Sequence, residues 1–297
     1  MLFKPRLLPG ALLASLCTLG VATAAVLLAF FIVSTPISLN SFLMGLSVLL
    51  LLCLAVVFGY WTFGLFSLRY RVDRNAVTIT SGFSREIVPL GKIERIVPGD
   101  EVPWVGPVRG VRWFGYYEGR ALVENLGYAI YHCSHPRPRE LLYLVTARSV
   151  YAITVKNPDR FILELHLRQE LGPTRPVEQE SRRWWILQLP FWRDRTVLAL
   201  LAVSLLINLS MFGLITHAYP RLPELLSLHF TAQGIVDRVG FRIEVLKLPA
   251  MALVVLMSNL LLGFLLHARE RAAAYLLLIG ALSVQALFWV AAVRIIY

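Results

Sequence analysis

Hydrophobic residues fall into two textures along this chain. From residue 7 to residue 68 there is no Asp, Glu, Lys or Arg, and at about 20 residues per crossing such a run accommodates two membrane-spanning helices. The break Ser34-Thr35-Pro36-Ile37-Ser38 places them at 12–33 and 42–66, closed by Tyr60-Trp61 and Tyr70 at the level where amphipathic rings favour the interface. Further apolar runs at 196–215, 248–266 and 272–293 bring the predicted spans to five. Between the second and third spans the period shortens to two. Alternating runs at 68–72, 76–80, 85–89, 93–97, 120–126, 128–132, 141–146 and 150–155, parted by turn residues such as Asp73-Arg74-Asn75 and Gly91-Lys92, predict a mostly-β domain of roughly seven strands. The period then turns helical: Asn157 is a good N-cap, Pro158 suits the first helical position, Phe161, Ile162 and Leu165 share a face, and Gly172-Pro173 ends the run.

Composition agrees with a membrane protein. The chain is 57% hydrophobic and only 16% charged, with a mean hydropathy of +0.66, against about 25% charged residues in an ordinary soluble domain. The formal charge of +11 does not point to nucleic acid, because the basic residues flank the apolar runs. Of the 29 lysines and arginines, 24 fall on one side of the expected spans and five on the other. Arg69, Arg71, Arg74, Arg193 and Arg195 lie close to span ends, where the positive-inside rule is strongest, so the amino terminus and the large insert are expected in the cytoplasm and the carboxyl terminus outside. Cys17, Cys53 and Cys133 are scattered and odd in number, which is no disulfide framework. The opening segment has the basic start and Ala22-Thr23-Ala24 of a cleavable signal, yet its apolar stretch outruns an h-region, so a retained first helix is expected.

The insert also carries a resemblance. Tyr128-Ala129-Ile130-Tyr131, Leu142-Tyr143-Leu144-Val145-Thr146, Tyr151-Ala152-Ile153 and the helix start Asn157-Pro158-Asp159-Arg160-Phe161 resemble the bacterial pleckstrin-homology-like (PH-like) domains found in membrane proteins. This implies a bacterial inner-membrane protein of α+β class, with five transmembrane helices and an inserted PH-like antiparallel β-barrel capped by a C-terminal helix. It implies no fixed chemistry, since such domains bind different ligands or none. Phosphoinositide-binding members place a basic cluster at the first hairpin, where this chain has Arg71 and Arg74 beside Asp73. The expected organisation is a transmembrane hairpin (1–68), a cytoplasmic PH-like domain (69–172), a linker with an interfacial segment (173–195), and a three-helix transmembrane domain (196–297) with an outer loop at 217–247.

In that loop Leu222-Pro223, His229-Phe230, Gly234, Asp237-Arg238 and Gly240 resemble an extracytoplasmic loop of unknown function in bacterial membrane proteins, relatives of peptide-toxin immunity proteins among them. His229, Asp237 and Arg238 are the candidate recognition residues; a loop simply folded against the helix ends is the other reading. Asn208, Asn259 and Gln285 fall near the middle of the last three spans, where amides need partners, and are expected to bond one another; a transport path is the alternative. Trp184, Trp185 and Trp192 mark an interfacial segment. Trp104 and Trp113, in the aromatic and Arg-containing stretch 102–117, mark either a second one or a loop folded onto its own domain. His132-Cys133-Ser134-His135 offers too few ligands on one face for a closed metal site. There is no HExxH, Gly-x-Ser-x-Gly or phosphate-loop motif, and no cofactor is indicated. The pattern predicts a non-enzymatic scaffold, sensor or immunity-type protein whose partners are the lipid bilayer and a protein or peptide, with a small-molecule or peptide transporter subunit as the alternative.

Overall fold

The computed structural model describes residues 1–5, 7–182, 189–230 and 236–297, and of residues 8, 9, 228–230 and 236–238 the backbone alone. The helices are α1 (Leu8–Val33), α2 (Leu39–Ser67), α3 (Pro158–Glu170), α4 (Arg195–Ala218), α5 (Lys247–Leu266) and α6 (Arg271–Ile296). All but α3 are long and apolar enough to cross a membrane, and helices apolar all round have no solvent face to present. Local hydroxyls set the turn between the first two. At the end of α1 the Ser34 and Thr35 side chains donate to the Phe31 and Ile32 carbonyls at 2.9 and 2.8 Å. Before α2, Ser38 and Ser41 bond each other's backbone N–H at 3.3 and 2.9 Å, so orphan groups at both helix ends find partners.

The chain divides into two compact units, residues 1–25 with 50–184, and residues 26–49 with 185–297. In the first unit the strands are β1 (Leu2–Phe3), β2 (Arg69–Val72), β3 (Ala76–Ser81), β4 (Ser84–Pro89), β5 (Ile93–Pro98), β6 (Arg109–Trp113), β7 (Tyr116–Val123), β8 (Gly127–Cys133), β9 (Leu142–Thr146), β10 (Val150–Ile153) and β11 (Glu180–Arg182). They form two sheets, ordered β1-β2-β3-β4-β11 and β5-β9-β10-β8-β7-β6. Alternation sorts the faces: in β2, Tyr70 and Val72 are buried while Arg69 and Arg71 are exposed. Tyr70, Ile79 and Val88 of one sheet meet Leu144, Tyr151 and Ile153 of the other, with Phe161 and Leu165 of α3, in one apolar core.

The expected closed antiparallel barrel does not form. Among the described residues the two sheets stay separate, and β10 pairs β8 in parallel. The reason lies at the edges. The short β1 takes the free edge of β2 and β11 takes that of β4, so the strands that would close the barrel are already paired. Between β4 and β5 the chain makes a 3₁₀ turn (Leu90–Lys92), and the Gln169 side chain of α3 donates to the Leu90 and Ile93 carbonyls at 3.0 and 3.3 Å. The helix thus fills the gap that strand pairing leaves.

A second core lies on the other face of the six-stranded sheet, where Val102 and Val108 cover Ala121, Val123, Tyr131 and Tyr143. The aromatic stretch 102–117 therefore divides. Its first half folds back on the sheet, with Gly106 N–H donating to Leu122 O at 2.8 Å and Glu124 N–H to Trp104 O at 3.0 Å; its second half is β6 and the turn into β7.

In the second unit, α4, α5 and α6 pack with the 217–247 segment. That segment is more regular than a loop: β12 (Leu225–Phe230) and β13 (Val236–Phe241) pair antiparallel, with a register irregularity around His229. Leu222 and Leu226 join Met211, Ile215, Val245 and Ala292 in its core.

Candidate functional site

The most densely built region of the first unit is the joint between α1, α2 and the sheets. At 29 residues and 1.5 Å per residue, α2 is about 43 Å long, against a hydrocarbon layer of about 30 Å. The surplus is its aromatic end. Trp113, at the tip of β6, stacks on Phe58 with ring centroids 4.3 Å apart and lies 5.4 Å from Trp61. Its indole N–H donates to Thr62 Oγ1 at 3.3 Å, and the Thr62 hydroxyl is 3.0 Å from that of Thr18 on α1. Phe83, in the turn between β3 and β4, meets Tyr60 and Phe63 at 5.7 and 5.5 Å. One aromatic belt is thus assembled from a helix and two sheet turns.

Glycines let the backbones touch. A Cβ built on Gly10 would stand 2.6 Å from the Gly115 Cα, and Gly115 itself has φ +73°, a left-handed conformation that favours glycine. A Cβ on Gly64 would stand 2.6 Å from the Tyr116 ring. Tyr116 is fully buried; its hydroxyl donates to the Glu118 carboxylate and lies 2.9 Å from the Ser81 hydroxyl. Ser84 donates to the other Glu118 oxygen at 3.0 Å, and the Gly82 N–H donates to the Ser67 hydroxyl at the end of α2 at 2.6 Å. Burial first, and then the Glu118 charge, push the Tyr116 hydroxyl far above its ordinary pKa, so it remains a donor.

A second constellation lies in the other unit. Asp194 caps α4, its Oδ1 accepting from the Thr196 and Val197 N–H groups at 3.0 and 3.4 Å. Its Oδ2 accepts from the Tyr275 hydroxyl of α6 at 2.7 Å and is 2.9 Å from Nε2 of His267, just past α5. One carboxylate therefore ties three helices. The His267 contact first, then Tyr275 and the backbone N–H groups, hold it well below the usual carboxylate range, although burial works the other way. Phe191 packs beside it against Phe264 and His267 at 5.3 and 5.4 Å. Sequence reasoning missed this centre, because Asp194, His267 and Tyr275 are far apart in the chain; a helix-capping Asp between two arginines was the available signal.

Among the expected site residues, Asn208 and Gln285 are brought together. The Asn208 amide donates to Gln285 Oε1 and to Pro249 O, both at 3.0 Å, and the Gln285 amide donates to Ala252 O at 2.9 Å. Asn259 is not part of this network; it donates to Val255 O of its own helix at 3.0 Å. His229 and Arg238 are register partners across β12 and β13, with Asp237 beside them on β13, while their side chains and Gly234 lie outside the described residues. Trp113 stands in the aromatic belt; Trp104 is half-exposed on the loop over the six-stranded sheet; Trp192 packs against Phe191 and Phe264 at 5.3 and 5.9 Å. Trp184 and Trp185 lie outside the described residues. Arg74 of the first hairpin bonds the Gly172 and Leu171 carbonyls after α3 at 3.0 and 2.9 Å. Cys133 lies in the second core, whereas the buried His132 faces Glu86 at 3.9 Å, and no group of three metal-ligating residues occurs among those described.

Residues 68–169 match the family model described as a bacterial PH domain. The match covers about a third of the chain and does not reach the 217–247 segment. No curated protein and no solved structure matches the chain. A bacterial PH domain match together with five helices long and apolar enough to span a membrane is compatible with a membrane-associated protein.

Proposed function

We propose that this chain is a non-enzymatic integral membrane scaffold, sensor or immunity-type protein of the bacterial inner membrane. Its PH-like module is held on the cytoplasmic side, with the amino terminus also inside and the carboxyl terminus outside. The observation that carries the reading is the joint at Gly10, Gly64, Gly115 and Tyr116: a domain clamped directly to two membrane helices can pass a displacement from one to the other, which a flexibly tethered domain cannot. The partners are the bilayer and a protein or peptide, with no nucleic acid. His229, Asp237 and Arg238 on the outer hairpin are the proposed contact residues on that side. The amides of Asn208 and Gln285, both buried and bonded to each other, favour dry helix packing over a wet transport path.

A pull-down from native membranes tests this, comparing the full chain, a chain lacking residues 69–172, and Gly115→Val in the joint. The expected outcome is a partner retained by the full chain and lost by both variants at equal membrane abundance. Equal capture by all three would count against the reading, as would vesicle uptake of a solute dependent on the full chain.

A further inference from the structure

The Asp194 centre forms the floor of a cavity of about 420 Å³ whose wall also carries Arg193, Arg195 and Arg271. All three arginines are exposed, and none makes an ion pair among the described residues. Asp194 is already engaged by His267, Tyr275 and the α4 backbone. The wall thus presents three guanidinium groups against one occupied carboxylate. His267 sits against this carboxylate: its side chain is 1% exposed and its Nε2 lies 2.9 Å from Asp194 Oδ2.

Position selects the ligand. The first residue of α4, the residue after α5 and the first residue of α6 all lie at the same end of these three helices. In a chain whose apolar helices span a bilayer, that end stands at the depth of the lipid phosphates. Trp192, 44% exposed beside Phe191, is a ring suited to the same depth. Arginine forks fit phosphate oxygens two at a time, and basic pockets between spanning helices hold lipid headgroups.

We propose that this cavity is a binding site for the phosphate of an anionic membrane phospholipid, gripped by Arg193, Arg195 and Arg271. The proposal requires α4 to α6 to span a bilayer and is independent of the scaffold or sensor role.

The test uses the full chain in nanodiscs of phosphatidylcholine with a minority of phosphatidylglycerol, released for native mass spectrometry. The wild type is expected to retain one phosphatidylglycerol. A triple variant, R193Q, R195Q and R271Q, should lose it, at roughly fivefold weaker binding per guanidinium. The triple lysine variant, which keeps charge and fold, should bind with intermediate strength because it loses the two-pronged grip. A second glutamine triple in the PH-like domain, R137Q, R139Q and R148Q, should change nothing. Inorganic phosphate should fail to displace the lipid. Equal loss in both glutamine triples would reduce the effect to diffuse charge and overturn the site, as would wild-type retention by the R193Q, R195Q and R271Q protein. Displacement by inorganic phosphate would overturn the lipid assignment in favour of a soluble anion.

Discussion

The sheet-proximal ends of α1 and α2 in the first unit and the helix bundle in the second solve one problem by different means. In a bilayer, burying apolar surface against another helix gains little, because lipid is as apolar as leucine, so close packing and polar bonds decide association. The helix ends rely on closeness: Gly10 against Gly115, Gly64 against Tyr116, and a Thr18 to Thr62 contact. The bundle relies on polarity: the Asn208 to Gln285 pair within it and the Asp194 carboxylate at its mouth. The first arrangement is intolerant of added volume and the second of lost hydrogen bonds. Substitutions that add a methyl group and substitutions that delete a polar atom should therefore have opposite rankings in the two units.

The largest effect is expected from Gly115→Val. The variant forces a β-branched side chain into a left-handed backbone, at about 1–2 kcal/mol, and overpacks the contact with Gly10, at about 1–3 kcal/mol more. Limited proteolysis of the β6 to β7 turn should accelerate, and thermal unfolding of the sheet domain should fall by several degrees. An unchanged cleavage rate would remove the joint from the comparison. Tyr116→Phe comes next. It takes the phenol from Glu118 Oε2 and from the Ser81 hydroxyl while Ser84 still donates to Oε1, a loss of about 1.5–3 kcal/mol for a bond to a charged group, read from denaturant unfolding. A cost under about 0.5 kcal/mol would mean that water replaces the hydroxyl.

Gln285→Leu should cost the bundle about 0.6–1.7 kcal/mol, the range for hydrogen bonds between membrane helices. Asn208 keeps Pro249 O, so the loss is partial. In a double-mutant cycle with Asn208→Leu, the two changes should sum to more than the pair together, since they share one bond. Strict additivity would show that the amides act separately. Asn259→Leu, whose bond stays within its own turn, should be nearly silent by the same measurement.

These contrasts also mark what the sequence could say. The five apolar helices were legible because uninterrupted hydrophobicity needs no knowledge of neighbours, and most strands were legible from alternation. Barrel closure was not, because it depends on which edges are taken. Leu2 and Phe3 are too few to register as a strand, and Glu180 to Arg182 carries no apolar alternation, yet both pair with distant strands and fix the sheet order. Strand β6 was hidden for a related reason: its residues, Arg109 to Trp113, read as part of either an interfacial segment or a loop folded onto its own domain, because the partner that makes them a strand is β7. The hairpin β12 to β13 was masked by its Asp, Arg and Gly content. The amide pair was found because a lone amide in an apolar run is conspicuous. The Asp194 centre was not, because each member has a bland local explanation: a helix cap, a chain turn and an interfacial tyrosine.

The effect most diagnostic of the second unit concerns Asp194. Its folded-state pKa lies below that of the unfolded chain, so the folded form binds fewer protons in the intervening range and stability must fall as pH falls there. The contribution is fully present above the ordinary carboxylate value of about 4 and is lost as pH drops through the depressed folded value. Asn at this position still caps a helix and still accepts from Tyr275, so Asp194→Asn should insert normally, melt below the wild type at pH 7 by the charge's contribution, and approach it in acid. The two proteins should differ in slope. Between about pH 4 and pH 2 the wild-type bundle should lose stability faster than the variant, followed through the fluorescence of Trp192, with the joint variants as controls that keep the wild-type slope. Parallel slopes for wild type and Asp194→Asn would mean that the carboxylate is a helix cap alone and that its ties to His267 and Tyr275 contribute nothing to holding the three helices together.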